Sequence, residues 1–175
     1  MRLLRSMTAA VCFVVTIGSV ATLVAQNGPA PAAVAAPKFD PKADPVKDLA
    51  GAVEQATKTH RRIILDVGGE WCGWCHALDK YFAERQELIA LRDKHYVWLK
   101  INFSQDNENK AFLSKYPAVK GYPHLFVLEH DGTLLQSQDT SPLEEGPSYN
   151  LTRMTDFLKK WAPASPATAV RVLLW

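Results

Sequence analysis

Apolar residues recur along this chain at two different periods, and the switches between them mark out its elements. Val46, Leu49, Val53 and Ala56 fall at helical spacing, which predicts one buried helix face ending near His60. Asp44 is suited to cap that helix and Pro45 to sit in its first turn. Ile63–Val67 is a short apolar run of the kind a buried strand shows, and Gly68 and Gly69 break it. A helical pattern follows from about Cys75 to Ala83, with Leu78 and Phe82 one turn apart. A second helical piece over Gln86–Lys94 carries Leu88, Ile89 and Leu91. From Tyr96 to Phe103 the period changes to two. Val97, Leu99, Ile101 and Phe103 alternate with Trp98, Lys100 and Asn102, which predicts a strand. Asn107–Tyr116 reads as a short helix closed by Pro117. Leu125–Glu129 and Thr133–Gln136 flank His130-Asp131-Gly132, a hairpin turn signal. A polar loop over Ser141–Tyr149 leads to a closing helix, Leu151–Trp161, whose apolar face is Met154, Phe157, Leu158 and Trp161.

Taking the two consecutive helical pieces as one, the order is helix, strand, helix, strand, helix, strand, strand, helix. An early βαβ unit joined to a late hairpin predicts an α/β fold: a central mixed β-sheet flanked by helices on both faces. This domain is expected to occupy residues 45–161. Before it, residues 1–25 read as a signal peptide or an N-terminal membrane anchor. Arg2 and Arg5 precede a continuous apolar stretch over Met7–Ala25. Residues 26–44, with Pro29, Pro31, Pro37 and Pro41, read as an Ala/Pro-rich linker. Residues 162–175 form an apolar C-terminal tail whose role has no signal in the sequence.

Charge removes one class of partner. The chain has 20 basic and 18 acidic residues, and losing residues 1–25 takes Arg2 and Arg5, leaving 18 of each. A neutral balance gives no electrostatic reason to expect nucleic acid.

The chemistry sits at the end of the first strand, in Trp71-Cys72-Gly73-Trp74-Cys75-His76. A Cys-x-x-Cys at the mouth of a helix can hold a reactive thiolate. The unpaired N–H groups and partial positive charge of the helix N-terminus favour a sulfur anion. The same residues admit c-type haem attachment through Cys-x-x-Cys-His, half of a zinc site, or an inert disulfide. Of the three cysteines, Cys12 lies in the N-terminal apolar stretch, so Cys72 and Cys75 form no part of a larger disulfide framework. The five histidines show no paired ligand spacing, which argues against zinc. The strands and hairpin argue against a helical haem protein. Asp66, inside an apolar strand, is costly to bury unless it is paired or used.

In this order and spacing, residues 45–161 resemble the thioredoxin family. Asp66 stands six residues before Cys72, where that family has a buried acid. Trp71 precedes the first cysteine, and Lys100 occupies the next strand where the family has a lysine paired with that acid. Gly121-Tyr122-Pro123 precedes a strand as the family's cis-proline loop does. The resemblance implies that Cys72 is the nucleophile and Cys75 the resolving thiol. It implies that Asp66 accepts the proton of Cys75, with Lys100 tuning it. Trp71, Gly73, Trp74, Tyr122 and Pro123 would contact the substrate, with Trp71 supporting the loop and Trp74 exposed to the partner. His76 would either fill the first helical turn or stabilise a thiolate when protonated.

The expected function is thiol:disulfide exchange with client proteins bearing disulfides or dithiols, with no metal or organic cofactor. Family potentials span roughly −270 to −120 mV. Gly73-Trp74 stands where thioredoxin has Gly-Pro, which is expected to raise the potential above thioredoxin's. The exported character, Asp66 with Lys100, and Glu70-Trp71 look most like the periplasmic reductive interchange domains. Such a domain would need a membrane redox partner to recycle its cysteines. The alternative from another class is a client-binding or chaperone module of the same fold; the remote one is the haem protein.

Overall fold

A computed structural model describes residues 38–164; the expected signal segment, most of the linker and most of the tail lie outside the described residues. The central strand is β1 (Arg62–Gly68), six of whose seven residues are buried. A strand with both faces covered must be apolar on both, and Ile63, Ile64, Leu65 and Val67 are each fully buried. On one side β1 pairs in parallel with β2 (Tyr96–Asn102), and on the other it pairs antiparallel with β3 (His124–Leu128). β3 continues antiparallel into β4 (Leu134–Asp139), giving the order β2-β1-β3-β4 in a mixed sheet.

Helices cover both faces. α1 (Pro45–Thr59) and the short α4 (Lys110–Leu113) lie on the face carrying Ile63, Leu65, Val67, Phe126 and Leu128. α2 (Gly73–Ala83), α3 (Gln86–His95) and α5 (Leu151–Lys160) lie on the face carrying Ile64, Leu125 and Val127. Local chemistry sets the helix ends. The Asp44 carboxylate accepts the Val46 and Lys47 N–H groups at 2.9 and 3.3 Å, and α1 stops at His60 in the left-handed region. Asn150 Oδ1 accepts the Arg153 N–H at 2.9 Å and starts α5. Gly132, at φ 90°, makes the β3–β4 turn.

Two segments depart from the sequence reading. The helix expected over Asn107–Tyr116 shrinks to Lys110–Leu113. Asparagine side chains compete for the backbone there. Asn109 Nδ2 donates to the Asn102 carbonyl at 2.8 Å, and Asn107 Oδ1 accepts the Asn109 N–H at 3.0 Å, so 103–109 folds as a loop. The loop expected over Ser141–Tyr149 instead holds a single 3₁₀ turn and a two-residue ladder, β5 (Glu144–Glu145) with β6 (Ser148–Tyr149). Leu143 and Tyr149 are buried by it, and Gly146, at φ 57°, makes the turn possible.

Candidate active site

Strand β1 ends at Gly68, and four residues later the chain enters α2 with Cys72 as its N-cap. Cys72 Sγ accepts the Cys75 N–H at 3.1 Å, so the sulfur itself takes the place of a capping oxygen. Cys72 and Cys75 are joined by a disulfide, with their Cα atoms 5.2 Å apart. On reduction, a negative charge on Cys72 Sγ would sit on unpaired N–H groups at the positive end of an 11-residue helix. Both cysteines are buried, Cys72 with 4% and Cys75 with 1% of its surface exposed. Gly68 permits this close approach, since a Cβ there would overlap Cys75 Sγ. Gly73 lies at the first position of α2 with open space around it.

Behind the disulfide is a buried charge cluster assembled by sheet register. Asp66 and Lys100 are direct partners in the β1–β2 ladder, and Trp98 lies two residues before Lys100 on the same face. Asp66 Oδ2 accepts both the Lys100 ammonium and the Trp98 indole N–H, each at 3.1 Å. Lys100 also donates to Asp79 Oδ1 at 2.8 Å, from one turn past Cys75 in α2. Asp66 Oδ1 is buried with no hydrogen-bond partner among the described residues. Burial raises the Asp66 carboxyl above its ordinary value and outweighs the opposing pull of Lys100 and Trp98. Burial also works against the Lys100 charge, but Asp66 and Asp79 together outweigh it and hold the ammonium above its ordinary value. The cluster therefore keeps its positive charge on Lys100 and leaves one Asp66 oxygen outside the ion pair.

Phe39 covers this arrangement. Its ring packs on Cys72 and Cys75 and lies 4.0 Å from Lys100 Nζ, and only 2% of the residue is exposed. Its N–H donates to Glu70 Oε1 at 2.9 Å, and the Pro41 carbonyl accepts Asn107 Nδ2 at 2.9 Å. The packed unit thus begins before α1, within the stretch read as linker.

The family model for thioredoxin-like proteins matches residues 44–129. Residues 44–129 form a thioredoxin-like domain. This chain is 31% identical over 93 residues to the thiol:disulfide interchange protein DsbD of Pseudomonas fluorescens, a match covering 52% of this chain and 15% of that protein. It is 30% identical over 83 residues to chloroplastic thioredoxin F of Oryza sativa, covering 47% and 40% respectively. The chain spans less than half the length of these curated relatives. Among solved structures, a disulphide isomerase from Xylella fastidiosa Temecula1 superposes with a TM-score of 0.58 at 27% identity, covering 70% of this chain and 94% of that one. The oxidised C-terminal domain of Neisseria meningitidis DsbD, at 19% identity and TM-score 0.53, shares the fold over 71% of this chain and 99% of its own.

The remaining candidate residues of this thioredoxin-like domain surround the disulfide. The Tyr122–Pro123 peptide bond is cis, and Tyr122 packs against the Phe39, Cys72 and Cys75 group. The Thr140 hydroxyl donates to the Pro123 carbonyl at 2.9 Å and pins that loop. Trp74, expected to be exposed, is the more covered of the two tryptophans. Trp74 is half-buried, edge-on to Tyr149 at 5.7 Å, because the β5–β6 turn brings that tyrosine over α2. Trp71 is 57% exposed, and its indole N–H donates to the Phe103 carbonyl at 2.6 Å. Gly69 leaves room for that bond, since a Cβ there would overlap the Trp71 ring. His76 Nε2 lies 2.8 Å from the Glu70 carbonyl oxygen, an acceptor, so that nitrogen carries the proton. Sequence reasoning missed Asp79 and Phe39. Asp79 was detectable as an acid within the stripe Cys75, Leu78, Asp79, Phe82. Phe39, a lone aromatic in an Ala/Pro-rich tract, carried no usable signal.

Proposed function

We propose that this thioredoxin-like oxidoreductase is exported by residues 1–25 and reduces or isomerises disulfides of partner proteins outside the cytoplasm. The Cys72 thiolate attacks one sulfur of the partner disulfide, and the other sulfur leaves as a thiolate that takes a proton. Cys75 then loses its proton to Asp66 Oδ1 and attacks Cys72 Sγ, releasing the second partner thiolate. The partner gains two electrons and the Cys72–Cys75 disulfide forms. Lys100 holds Asp66 in place and balances its charge once the proton has moved on. Trp71, Gly73, Trp74, Tyr122 and Pro123 form the contact surface, where the Tyr122 backbone pairs with an extended client segment. A membrane redox partner returns the cysteines to the dithiol state.

The observation that carries the reading is the Cys72 sulfur capping α2 with an unpartnered buried carboxylate oxygen on the strand behind it. The names of the similar proteins, a disulfide interchange protein and a disulphide isomerase, support the substrate class. The test is reduction of a generic protein disulfide by the dithiol form. The wild type is expected to turn over, and Cys72→Ser to lose at least three orders of magnitude. A Cys72→Ser protein that still binds and protects unfolded clients, with a wild type that reduces nothing, establishes the client-binding alternative instead. Equilibration with glutathione gives the direction: a potential near the oxidising end, about −120 mV, overturns the reductive assignment.

A further inference from the structure

Beside the disulfide lies a groove of about 680 Å³ whose walls include Phe39, Trp71 and Phe103. Its remaining lining includes Glu70, Asp106 and Glu108, and among the described residues no lysine, arginine or histidine lines it. A lining of aromatic rings and carboxylates matches one kind of occupant: a chain segment with aliphatic stems and cationic tips. Two features join this groove to the chemistry. Trp71, the residue before Cys72, forms one wall and stands edge-on to Tyr122 at 5.5 Å. Glu108 lines both this groove and the adjoining hollow against Tyr122. A client strand lying along Tyr122 and Pro123 would therefore run past Glu108 and over Trp71.

The three carboxylates are not equally free. Lys110 Nζ lies 2.7 Å from Glu108 Oε2, but it is 82% exposed, so this is a surface pair of little strength. Glu70 accepts the Phe39 N–H, and His76 Nε2 stands 4.0 Å from its other oxygen. Asp106 has no cationic partner among the described residues and is exposed. The chain's own N-terminal segment is a poor match for these walls, since it carries no charged residue between Arg5 and Lys38.

We propose that this groove is a specificity site that selects partner proteins with lysine or arginine flanking the disulfide to be exchanged. The proposal rests on the thiol:disulfide reading for its catalytic consequence, but the binding preference exists without it. The partner's cations meet Asp106, Glu108 and Glu70, their stems lie on Trp71 and Phe103, and the disulfide is delivered to Cys72.

Two oxidised peptides differing only in whether the residues flanking their disulfide are lysine or glutamate test this, beside a small uncharged disulfide. The dithiol protein is expected to reduce the lysine peptide about tenfold faster in kcat/KM than the glutamate peptide at low salt, with the gap closing as salt rises. The surface double variant Asp106→Asn with Glu108→Gln should lose most of that preference and leave the rate on the small disulfide unchanged. The same peptides with serine for cysteine, bound to the oxidised protein and followed by tryptophan fluorescence, should show the same order of Kd. A binding preference without any disulfide reduction sinks the catalytic reading and leaves the groove assignment standing. Equal rates and equal Kd for the two peptides, or a preference untouched in the double variant, overturn the groove assignment.

Discussion

Replacing Phe39 with alanine tests the coupling between packing and chemistry at the disulfide. The ring is fully buried against both cysteines and lies over the Lys100 ammonium at 4.0 Å. Moving a phenylalanine side chain out of contact with water is worth about 1.5–3 kcal/mol. Phe→Ala in a core costs about 3–5 kcal/mol once the cavity is included. Phe39 also lines an open groove, so water can fill part of the void and the loss should fall near the low end, about 3 kcal/mol. The cation–π contact is about 0.5–2 kcal/mol of this. Phe39→Leu keeps apolar cover but loses the ring face, so it should cost about 1 kcal/mol. Urea unfolding of the oxidised protein measures both. The chemical consequence has a definite sign. Burial is the largest cause of the raised Asp66 carboxyl, so admitting water beside Lys100 lowers it. In the proposed mechanism resolution by Cys75 requires a deprotonated Asp66, so its rate should fall as pH drops through the Asp66 pKa. That acid limb should lie above the usual carboxylate range in the wild type and move to lower pH in Phe39→Ala. If both variants unfold within about 0.5 kcal/mol of wild type, or the limb stays put in a destabilised Phe39→Ala, the argument is wrong.

Asp66→Asn reads the same burial through stability. A carboxyl whose pKa is raised on folding binds its proton more tightly in the native state. The Asp66 contribution to wild-type stability should therefore be greatest below the ordinary carboxylate pKa and decline as pH rises toward the folded value. The asparagine variant should lack that slope, and parallel urea midpoints for the two proteins across this window would contradict the prediction. Gly68→Ala should cost about 1–3 kcal/mol by driving a Cβ into Cys75 Sγ. Thermal melts check the cost, and alkylation of Cys75 in the reduced protein should be faster than in wild type. Trp71→Phe removes the indole bond to the Phe103 carbonyl, worth about 0.5–1.5 kcal/mol. Proteolysis of the 69–72 loop should then quicken, and no change would mean that this bond does not hold the loop.

Much of the fold was legible because its signals are local. The apolar run Ile63–Val67, the alternation over Tyr96–Phe103 and the Asp44-Pro45 start each state an element within a few residues. The Cys-x-x-Cys pair was legible because its spacing brings its sulfurs within bonding reach at a helix start, and the surrounding strands and histidine spacing weighed against the haem and zinc readings. Asp66 stood out for a similar reason, as a charge inside an apolar strand.

Other features exist only when distant segments meet. Asp79 joins Lys100 because α2 packs across the β1–β2 pair, and neither residue's sequence neighbours encode that contact. Trp71 and Trp74 look alike in sequence. Which one faces solvent is decided by Tyr149, some 75 positions along the chain from Trp74, folding back over α2. Phe39 shows the limit most plainly: a single aromatic in a proline-rich stretch has no period to read, and its burial depends on the gap left by Gly68 and on Glu70 receiving its N–H. The sequence by itself determined the main strands and helices, their order and the reactive pair, since backbone periodicity and short spacing act within one element. The tertiary structure alone decided the surroundings of that pair, since burial and electrostatic coupling depend on neighbours that the chain's order does not specify.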